Sequence, residues 1–221
     1  MIGQDSLLDI VEKAAVTETP APLHCWQFGQ AGYEKIWQAM RQFTLSRTAR
    51  TADEIWLGEH PPVFTQGLAG KAEHLLQDVG IPIIRTDRGG QITYHGPGQI
   101  MAYVLLDLGR RKIKVRDLVH GLEQAIINVL AANSITAQRR EKAPGVYVGE
   151  AKIASLGLRI RNGCSYHGLA LNCGVNLTPF QYIDPCGYKG LHMTRLSDLC
   201  PGITQSEVEV NLLQQLKTQL S

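Results

Sequence analysis

The chain runs from the glycine-rich stretch Arg88-Gly89-Gly90-Gln91-Ile92-Thr93-Tyr94-His95-Gly96-Pro97-Gly98-Gln99 directly into a nearly continuous apolar segment at residues 100–108. A short apolar run bounded by turn residues predicts a buried central strand. The four glycines and the proline before it make a poor core, but they let the backbone turn tightly and wrap its N–H groups around a ligand. We therefore predict a ligand-binding loop, closed by the Gly96-Pro97-Gly98 turn, that leads into a central strand.

The spacing of apolar residues on either side of this strand predicts the other elements of the fold. Helices are expected at residues 33–43, 115–130 and 212–220, and strands at 54–58, 81–85, 145–148, 152–160 and 167–173. Gly149-Glu150-Ala151 is expected to join two of these strands in a hairpin. Strands occur in runs and do not alternate with helices, which favours an α+β fold with a mixed sheet flanked by helices over a doubly wound sheet.

The length and composition are those of one globular domain. The chain has 221 residues, 44% of them hydrophobic, and a net charge of +2, so a bulk polyelectrolyte such as nucleic acid is not expected as a partner. Prolines at positions 20 and 22 separate a predicted N-terminal extension, residues 1–22, from a predicted catalytic domain, residues 23–221.

The sequence predicts a cytoplasmic protein that does not bind membranes. The five cysteines are odd in number and show no Cys-x-x-Cys spacing, which is typical of reduced thiols. No apolar run reaches the roughly 18 residues that span a bilayer. Three acidic residues precede the first basic one, Lys13, which is unlike the start of an export signal.

A second informative block, Asp184-Pro185-Cys186-Gly187-Tyr188, predicts a thiol on a sharp turn. Only the thiolate is a good nucleophile, and a free cysteine with a pKa of about 8.5 needs a nearby cation to form it at neutral pH. Lys152 begins a predicted strand that would run back toward this turn, so it is the candidate cation. For an arbitrary cysteine the commoner role is that of a small buried apolar side chain. We assign that role to Cys25, Cys164, Cys173 and Cys200.

Two further features have competing interpretations. His60, His95 and His167 follow no zinc-ligand spacing, so we expect loop or pocket roles and no metal site. The basic run at residues 110–116 is expected to be a solvated loop, with electrostatic contact to an acidic protein as the alternative.

Several ordered blocks together resemble the octanoyltransferases, the lipoyl(octanoyl) transferases of lipoate synthesis, over about residues 23–220. These blocks are residues 88–99, Ala143-Pro144-Gly145-Val146-Tyr147-Val148-Gly149, Lys152-Ile153, Ser155-Leu156-Gly157-Leu158-Arg159-Ile160, His167-Gly168-Leu169-Ala170-Leu171-Asn172 and Pro185-Cys186-Gly187. The resemblance implies the fold of the biotin and lipoate protein ligase catalytic domain.

The resemblance also implies the reaction and its residues. The octanoyl group would pass from octanoyl-acyl carrier protein to a lysine of lipoyl domains, in 2-oxoacid dehydrogenases and the glycine cleavage H protein. Cys186 would carry it as a thioester, and Lys152 would lower the pKa of that cysteine and act as general acid and base. The implied substrate-binding residues are Arg88, Gly89, Gly90, Gln91, Ile92, Thr93, Tyr94, His95, Ser155, Leu156, Gly157, Gly168, Leu169 and Ala170. We expect no cofactor, no metal and a monomer.

Two alternatives stay open at this point. One is an ATP-dependent lipoate or biotin protein ligase of the same fold, which would bind an adenylate in the glycine-rich loop and would not need a thiol. The other is a non-catalytic module that binds acyl carrier protein or lipoyl domains. Cys186 within Pro-Cys-Gly favours the transferase over both.

Overall fold

The computed structural model describes residues 22–141, 143–184 and 190–220, so the predicted N-terminal extension lies outside the described residues except for Pro22. The strands are β1 (Leu23–Gln30), β2 (Asp53–Glu59), β3 (Val63–Gln66), β4 (Ile83–Arg85), β5 (Ile92–His95), β6 (Gln99–Leu105), β7 (Gln138–Arg139), β8 (Gly145–Val148), β9 (Ala151–Arg161) and β10 (Cys164–Asn172). The α-helices are α1 (Tyr33–Ser46), α2 (Leu108–Arg111), α3 (Val115–Ala132), α4 (Leu196–Leu199) and α5 (Gln205–Leu220). Short 3-10 helices occur at Ala72–His74 and Thr178–Tyr182.

The strands form a large and a small sheet. The large sheet has the order β1-β2-β6-β10-β9-β8-β7, and the small one has the order β4-β3-β5. Both are mixed: β1 with β2 and β3 with β4 are parallel pairs, whereas the other pairs are antiparallel. The predicted α+β architecture with a mixed sheet is thus confirmed.

Strand β6 is buried on both faces, which is why its sequence reads as continuously apolar. Ile100, Ala102 and Val104 pack into the core that α3 and α5 cover, while Met101 and Tyr103 face the opposite core beside α1. Each large apolar side chain buried in this way stabilises the fold by about 1.5–3 kcal/mol. The helices therefore lie on both faces of the large sheet.

The predicted central strand is three residues too long at its C-terminal end. It ends at Leu105, and Leu108 already belongs to α2. The reason is a helix cap: the Asp107 carboxylate accepts a hydrogen bond from the Arg110 backbone N–H at 3.0 Å.

The predicted solvated loop at 110–116 is wrong for its first two residues. Arg110 and Arg111 both form ion pairs with Asp53, a fully buried carboxylate that also pairs with Arg47. Arg110 Nη2 lies 2.7 Å from Asp53 Oδ1. A buried carboxylate needs such partners because removing its charge from water is costly. These two arginines therefore stabilise the fold, whereas residues 112, 114, 115 and 116 are exposed.

None of the helices within the described ranges is both long enough and apolar enough to cross a bilayer.

Candidate active site

A small cavity of about 50 Å³ lies between the two sheets, beside α1. Most of the residues predicted to bind substrate line it: Arg88, Gly90, Gln91, Ile92, Thr93, His95, Ser155, Leu156, Gly157, Gly168, Leu169 and Ala170. The structure therefore brings the glycine-rich loop, β9 and β10 together around one space. Sequence reasoning did not single out Tyr33, Met101 and Tyr103, which also line it. Their apolar helix and strand spacing gave no signal of a pocket.

The two other predicted binding residues, Tyr94 and Gly89, do not line this cavity. Tyr94 packs in the core of the small sheet, with its ring edge-to-face against Phe64 at 5.7 Å and Phe180 at 5.5 Å. Its position follows from strand alternation, because its neighbours Thr93 and His95 face the cavity. Burial raises the pKa of Tyr94. Gly89 instead lines a second, larger cavity, and its N–H donates to the Leu158 carbonyl at 2.8 Å.

The second cavity holds about 350 Å³ and adjoins the first. Gly90, Gln91, Leu156 and Gly157 form a wall that both cavities share. The Oε1 atom of Gln91 is buried and has no hydrogen-bond partner among the described residues. Lys152 lines the larger cavity together with Ala143, Pro144 and Val119.

Lys152 is 1% exposed, which is unusual for a lysine and requires a partner for its amine. Its Nζ donates a hydrogen bond to the Pro144 carbonyl at 2.9 Å and lies 5.5 Å from the centre of the Tyr147 ring. Gly145 makes this approach possible, since a Cβ there would lie 2.3 Å from Lys152 Cε. The backbone of Lys152 is held as well: its N–H donates to the His192 carbonyl at 2.8 Å, and its carbonyl accepts from Thr194 N–H at 3.0 Å.

The predicted nucleophile, Cys186, lies outside the described residues, as do Pro185 and residues 187–189. The chain on either side is anchored. Asp184 N–H donates to the His74 carbonyl at 2.8 Å, and three residues after Gly190 the chain pairs with β9 at Lys152. The strand that carries Lys152 thus pairs with the chain that follows the predicted nucleophile.

The guanidinium of Arg88 is bound by the protein itself. Its Nε and Nη2 atoms donate to Thr65 Oγ1 at 3.1 and 2.9 Å. Further hydrogen bonds reach the carbonyls of Thr65, Gly89 and Gln91. Arg88 therefore fixes the shape of the glycine-rich loop, and its role at the cavity is that of a rigid wall.

Both ring nitrogens of His95 also have hydrogen-bond partners within the protein. The side-chain amide nitrogen of Gln99 donates to Asn172 Oδ1 at 2.9 Å, so the amide atom that faces His95 is the Gln99 oxygen, Oε1. This oxygen accepts from His95 Nδ1–H at 2.7 Å. The other ring nitrogen, Nε2, then accepts from Thr65 Oγ1 at 3.0 Å. Complete burial, reinforced by the nearby His60 and Arg88, lowers the pKa of His95 well below its usual value.

His60 and His167 belong to the same buried group as His95. His60 Nδ1–H donates to the Ala31 carbonyl at 2.6 Å, so Nε2 accepts from the Tyr103 hydroxyl at 2.6 Å. Burial lowers the pKa of His60 to about 4, although the bond to Ala31 opposes the shift. His167 is buried too, and burial lowers its pKa against the opposing effect of Asp87. The described residues contain no set of three His, Cys, Asp or Glu side chains grouped to hold a metal ion.

Asp87 was not singled out from the sequence, yet it organises this end of the cavity. It accepts hydrogen bonds from His167 Nε2 at 2.9 Å, Trp37 Nε1 at 2.7 Å and the Tyr166 hydroxyl at 2.5 Å. Burial raises the pKa of Asp87, but these three donors outweigh it and hold the pKa below its usual value. His167 itself has a φ of 61°, a left-handed conformation that is strained for a side chain of this size.

The fold is that of the lipoate and biotin protein ligase catalytic domains. The chain matches the model of the lipoyl protein ligase A/B catalytic domain over residues 33–217. It superposes on a bi-partite lipoate protein ligase from Thermoplasma acidophilum with a TM-score of 0.71 and 17% identity, covering 89% of this chain and 83% of that one. For a biotin protein ligase from Aquifex aeolicus the TM-score is 0.53 at 11% identity, covering 90% and 69%.

Relatives of higher sequence identity show to which family within this fold class the chain belongs. The chain is 59% identical over 194 residues to an octanoyltransferase of Dechloromonas aromatica (strain RCB), covering 88% of this chain and 95% of the relative. An octanoyltransferase of Azoarcus sp. (strain BH72) is 58% identical over 88% of this chain and 86% of its own length. This protein therefore belongs to the octanoyltransferase family, and it is an acyltransferase that acts by octanoyl transfer in lipoate biosynthesis.

Proposed function

We propose that this enzyme takes its octanoyl group from octanoyl-acyl carrier protein and passes it, through a thioester on Cys186, to a lysine amine of lipoyl domains. The observation that carries the proposal is the burial of Lys152 in the wall of the larger cavity, on the strand with which the chain following residue 190 pairs. Burying a lysine amine lowers the free energy of unfolding, whereas a solvated lysine has no such cost. A lysine that is buried beside a cavity is therefore a candidate for a functional site.

The reaction has two steps, each of which breaks one C–S bond. The Cys186 thiolate attacks the carbonyl carbon of the octanoyl thioester, and the phosphopantetheine thiolate leaves and takes up a proton. The acceptor amine then attacks the acyl-enzyme, forms an amide and expels the Cys186 thiolate. As the ammonium, Lys152 favours the Cys186 thiolate electrostatically and gives its proton to the departing phosphopantetheine thiolate. As the neutral amine, it then accepts the proton that the acceptor amine loses, which restores the ammonium. A thioester is less stable than the amide it becomes, so no ATP and no cofactor are required.

The two cavities suggest how the substrate is divided between them. The smaller cavity is lined largely by apolar side chains and by His95 and His167, whose lowered pKa values keep them neutral at pH 7. Such a wall suits an acyl chain. The larger cavity contains Lys152 and suits the thioester and the incoming amine. The shared wall at Gly90 and Gly157, where no side chains project, is the proposed position of the reacting carbonyl.

The proposed identities of the donor protein and of the acceptor protein are supported by separate observations. The exposed part of the basic run, Lys112, Lys114 and Arg116, precedes or begins helix α3, and Val119 of the same helix lines the larger cavity. A basic surface beside the cavity favours an acidic carrier protein. For the acceptor, the solved structure of the Thermoplasma acidophilum ligase was described together with its E2 lipoyl domain. By analogy we propose lipoyl domains of 2-oxoacid dehydrogenases and the glycine cleavage H protein.

The test is the intact mass of the protein after brief incubation with octanoyl-acyl carrier protein. We expect an octanoyl adduct on the wild type that an apo lipoyl domain removes, and no adduct on Cys186→Ser. Cys173→Ala is the matched control. Burial, with Glu209 and Glu59 nearby, raises the pKa of Cys173 to about 11 and makes it a poor nucleophile, so this variant should still form the adduct.

Two results would contradict the proposal. An adduct that persists on Cys186→Ser would place the acyl group elsewhere. Transfer that proceeds without an adduct and requires ATP and free octanoate would assign the chain to the protein ligases of the same fold.

A further inference from the structure

The peptide group between Pro144 and Gly145 has a partner at each end. Its carbonyl oxygen, on Pro144, accepts from Lys152 Nζ at 2.9 Å. Its N–H, on Gly145, donates to the Glu123 carboxylate oxygen Oε1 at 2.9 Å. The C=O and N–H of a trans peptide lie in one plane and point in opposite directions. A side chain that fixes the N–H therefore also fixes the direction of the carbonyl that holds Lys152.

Glu123 is unusual for its position in the middle of helix α3. It is only 6% exposed, and its Oε2 forms an ion pair with Arg139 Nε at 3.2 Å. Arg139 is itself held by Gln124 Oε1 at 2.8 Å and by the His120 carbonyl at 3.1 Å. A carboxylate is expensive to bury, and a well-packed apolar residue would serve a purely structural role at lower cost. The buried charge is thus directed at one backbone N–H, and the arginine balances it.

The charge on Glu123 also strengthens the hydrogen bond at the other end of the peptide. A hydrogen bond to a carboxylate is stronger than one to a neutral acceptor, and it polarises the peptide that donates it. The polarised Pro144 carbonyl becomes a better acceptor for Lys152 Nζ. Gly145 completes the arrangement, because any Cβ at this residue would contact both Cε and Nζ of Lys152.

We propose that Glu123 is a positioning residue for acyl transfer, acting through the Pro144–Gly145 peptide to hold Lys152 at the reaction site. This inference rests on the proposed role of Lys152 and adds a residue that does not line either cavity. No sequence motif marks Glu123, since it and Asp117 are merely two separate acidic residues within an amphipathic helix.

The test is a double-mutant cycle that uses the rate of Cys186 alkylation by iodoacetamide, followed by peptide mass, in the full-length protein. Glu123→Gln is nearly isosteric and removes only the charge. We expect it to slow alkylation about tenfold, the loss expected when a charge-assisted hydrogen bond becomes a neutral one. In octanoyl transfer we expect a lower kcat with an unchanged KM for the donor. In the Lys152→Ala background Glu123→Gln should have no further effect, because both changes act on the same group.

Gln124→Leu is the matched control, since it removes a neighbouring contact to Arg139 and leaves the Gly145 hydrogen bond in place. It should alkylate at the wild-type rate. A wild-type rate for Glu123→Gln, or effects of Glu123→Gln and Lys152→Ala that add, would overturn the positioning role alone. If Lys152→Ala itself leaves alkylation and transfer unchanged, the proposed role of Lys152 fails first and the role of Glu123 fails with it.

Discussion

Gly145→Ala tests whether the position of Lys152 controls the reaction. A Cβ at residue 145 would lie 2.3 Å from Lys152 Cε and 2.7 Å from the Ala154 carbonyl oxygen. Carbon atoms in contact are about 3.5 Å apart, so Cε must move by about 1.2 Å. The neighbouring β9 backbone must move as well. Misplacement of a reacting group by about 1 Å costs on the order of 10²-fold in rate. We therefore expect kcat for octanoyl transfer to fall about 100-fold.

The same substitution also strains the backbone, and this effect must be separated from the displacement of Lys152. Residue 145 has a φ of 141°, which disfavours a side chain. Strain and overlap together should lower the free energy of unfolding by about 2–4 kcal/mol. Gly149→Ala, in the turn that follows β8, is the matched control: its φ is 54°, but its Cβ would meet nothing within 4 Å. That variant should lose stability and keep its activity.

The assays are steady-state octanoyl transfer and urea unfolding, measured on both variants below their unfolding transitions. The reasoning is refuted if folded Gly145→Ala and Gly149→Ala have the same kcat. If both keep the wild-type kcat, the position of Lys152 does not control the rate. If both lose kcat equally, backbone strain accounts for the loss and the displacement of Lys152 does not.

The remaining predictions concern stability. Asp53→Ala leaves three arginines without their buried carboxylate and should lower the free energy of unfolding by about 3–5 kcal/mol. Asp198→Ala, which breaks an exposed pair, should cost at most about 1 kcal/mol, and equal losses in urea unfolding would contradict the assignment. Acid should destabilise the fold between pH 6.5 and about 4, because the unfolded chain protonates His60 there and the folded chain does not. His60 alone contributes about 3 kcal/mol over this window, and a stability–pH slope in His60→Gln as steep as that of the wild type would contradict this.

The elements that sequence reasoning predicted best are those with one dominant periodicity. The helix of residues 115–130 and the hairpin around Gly149 were expected and are present, because burial against a single core fixes such patterns. The end of the central strand was misplaced, since the capping hydrogen bond of Asp107 competes locally with an apolar pattern that continues to Leu108. Hydrogen bonds that cap a helix are therefore hard to predict from the spacing of apolar residues alone.

The lining of the smaller cavity was predictable where its residues form a contiguous block of sequence, and it was not where they meet only in space. The Ser155-Leu156-Gly157 segment and residues 88–95 of the glycine-rich loop were expected to line a pocket, and all of them except Gly89 and Tyr94 line the smaller cavity. Asp87 and Glu123 were missed, because the residues that they contact come from distant strands and helices. The basic run was misread for Arg110 and Arg111 because nothing near Asp53 in the sequence indicates that its carboxylate is buried.

The distribution of charge between the two cavities argues for separate holding and reacting sites. In the smaller cavity the guanidinium of Arg88 is bound by protein oxygens, and both nitrogens of His95 have protein partners. Polar groups satisfied in this way make a rigid wall and offer little to a proton-transfer step. In the larger cavity Lys152 Nζ donates to the Pro144 carbonyl, and the N–H at the other end of that peptide group, on Gly145, donates to Glu123. The reaction that we propose needs this asymmetry, because the acyl chain is apolar whereas the proton released in the proposed second step must be taken up beside the thioester.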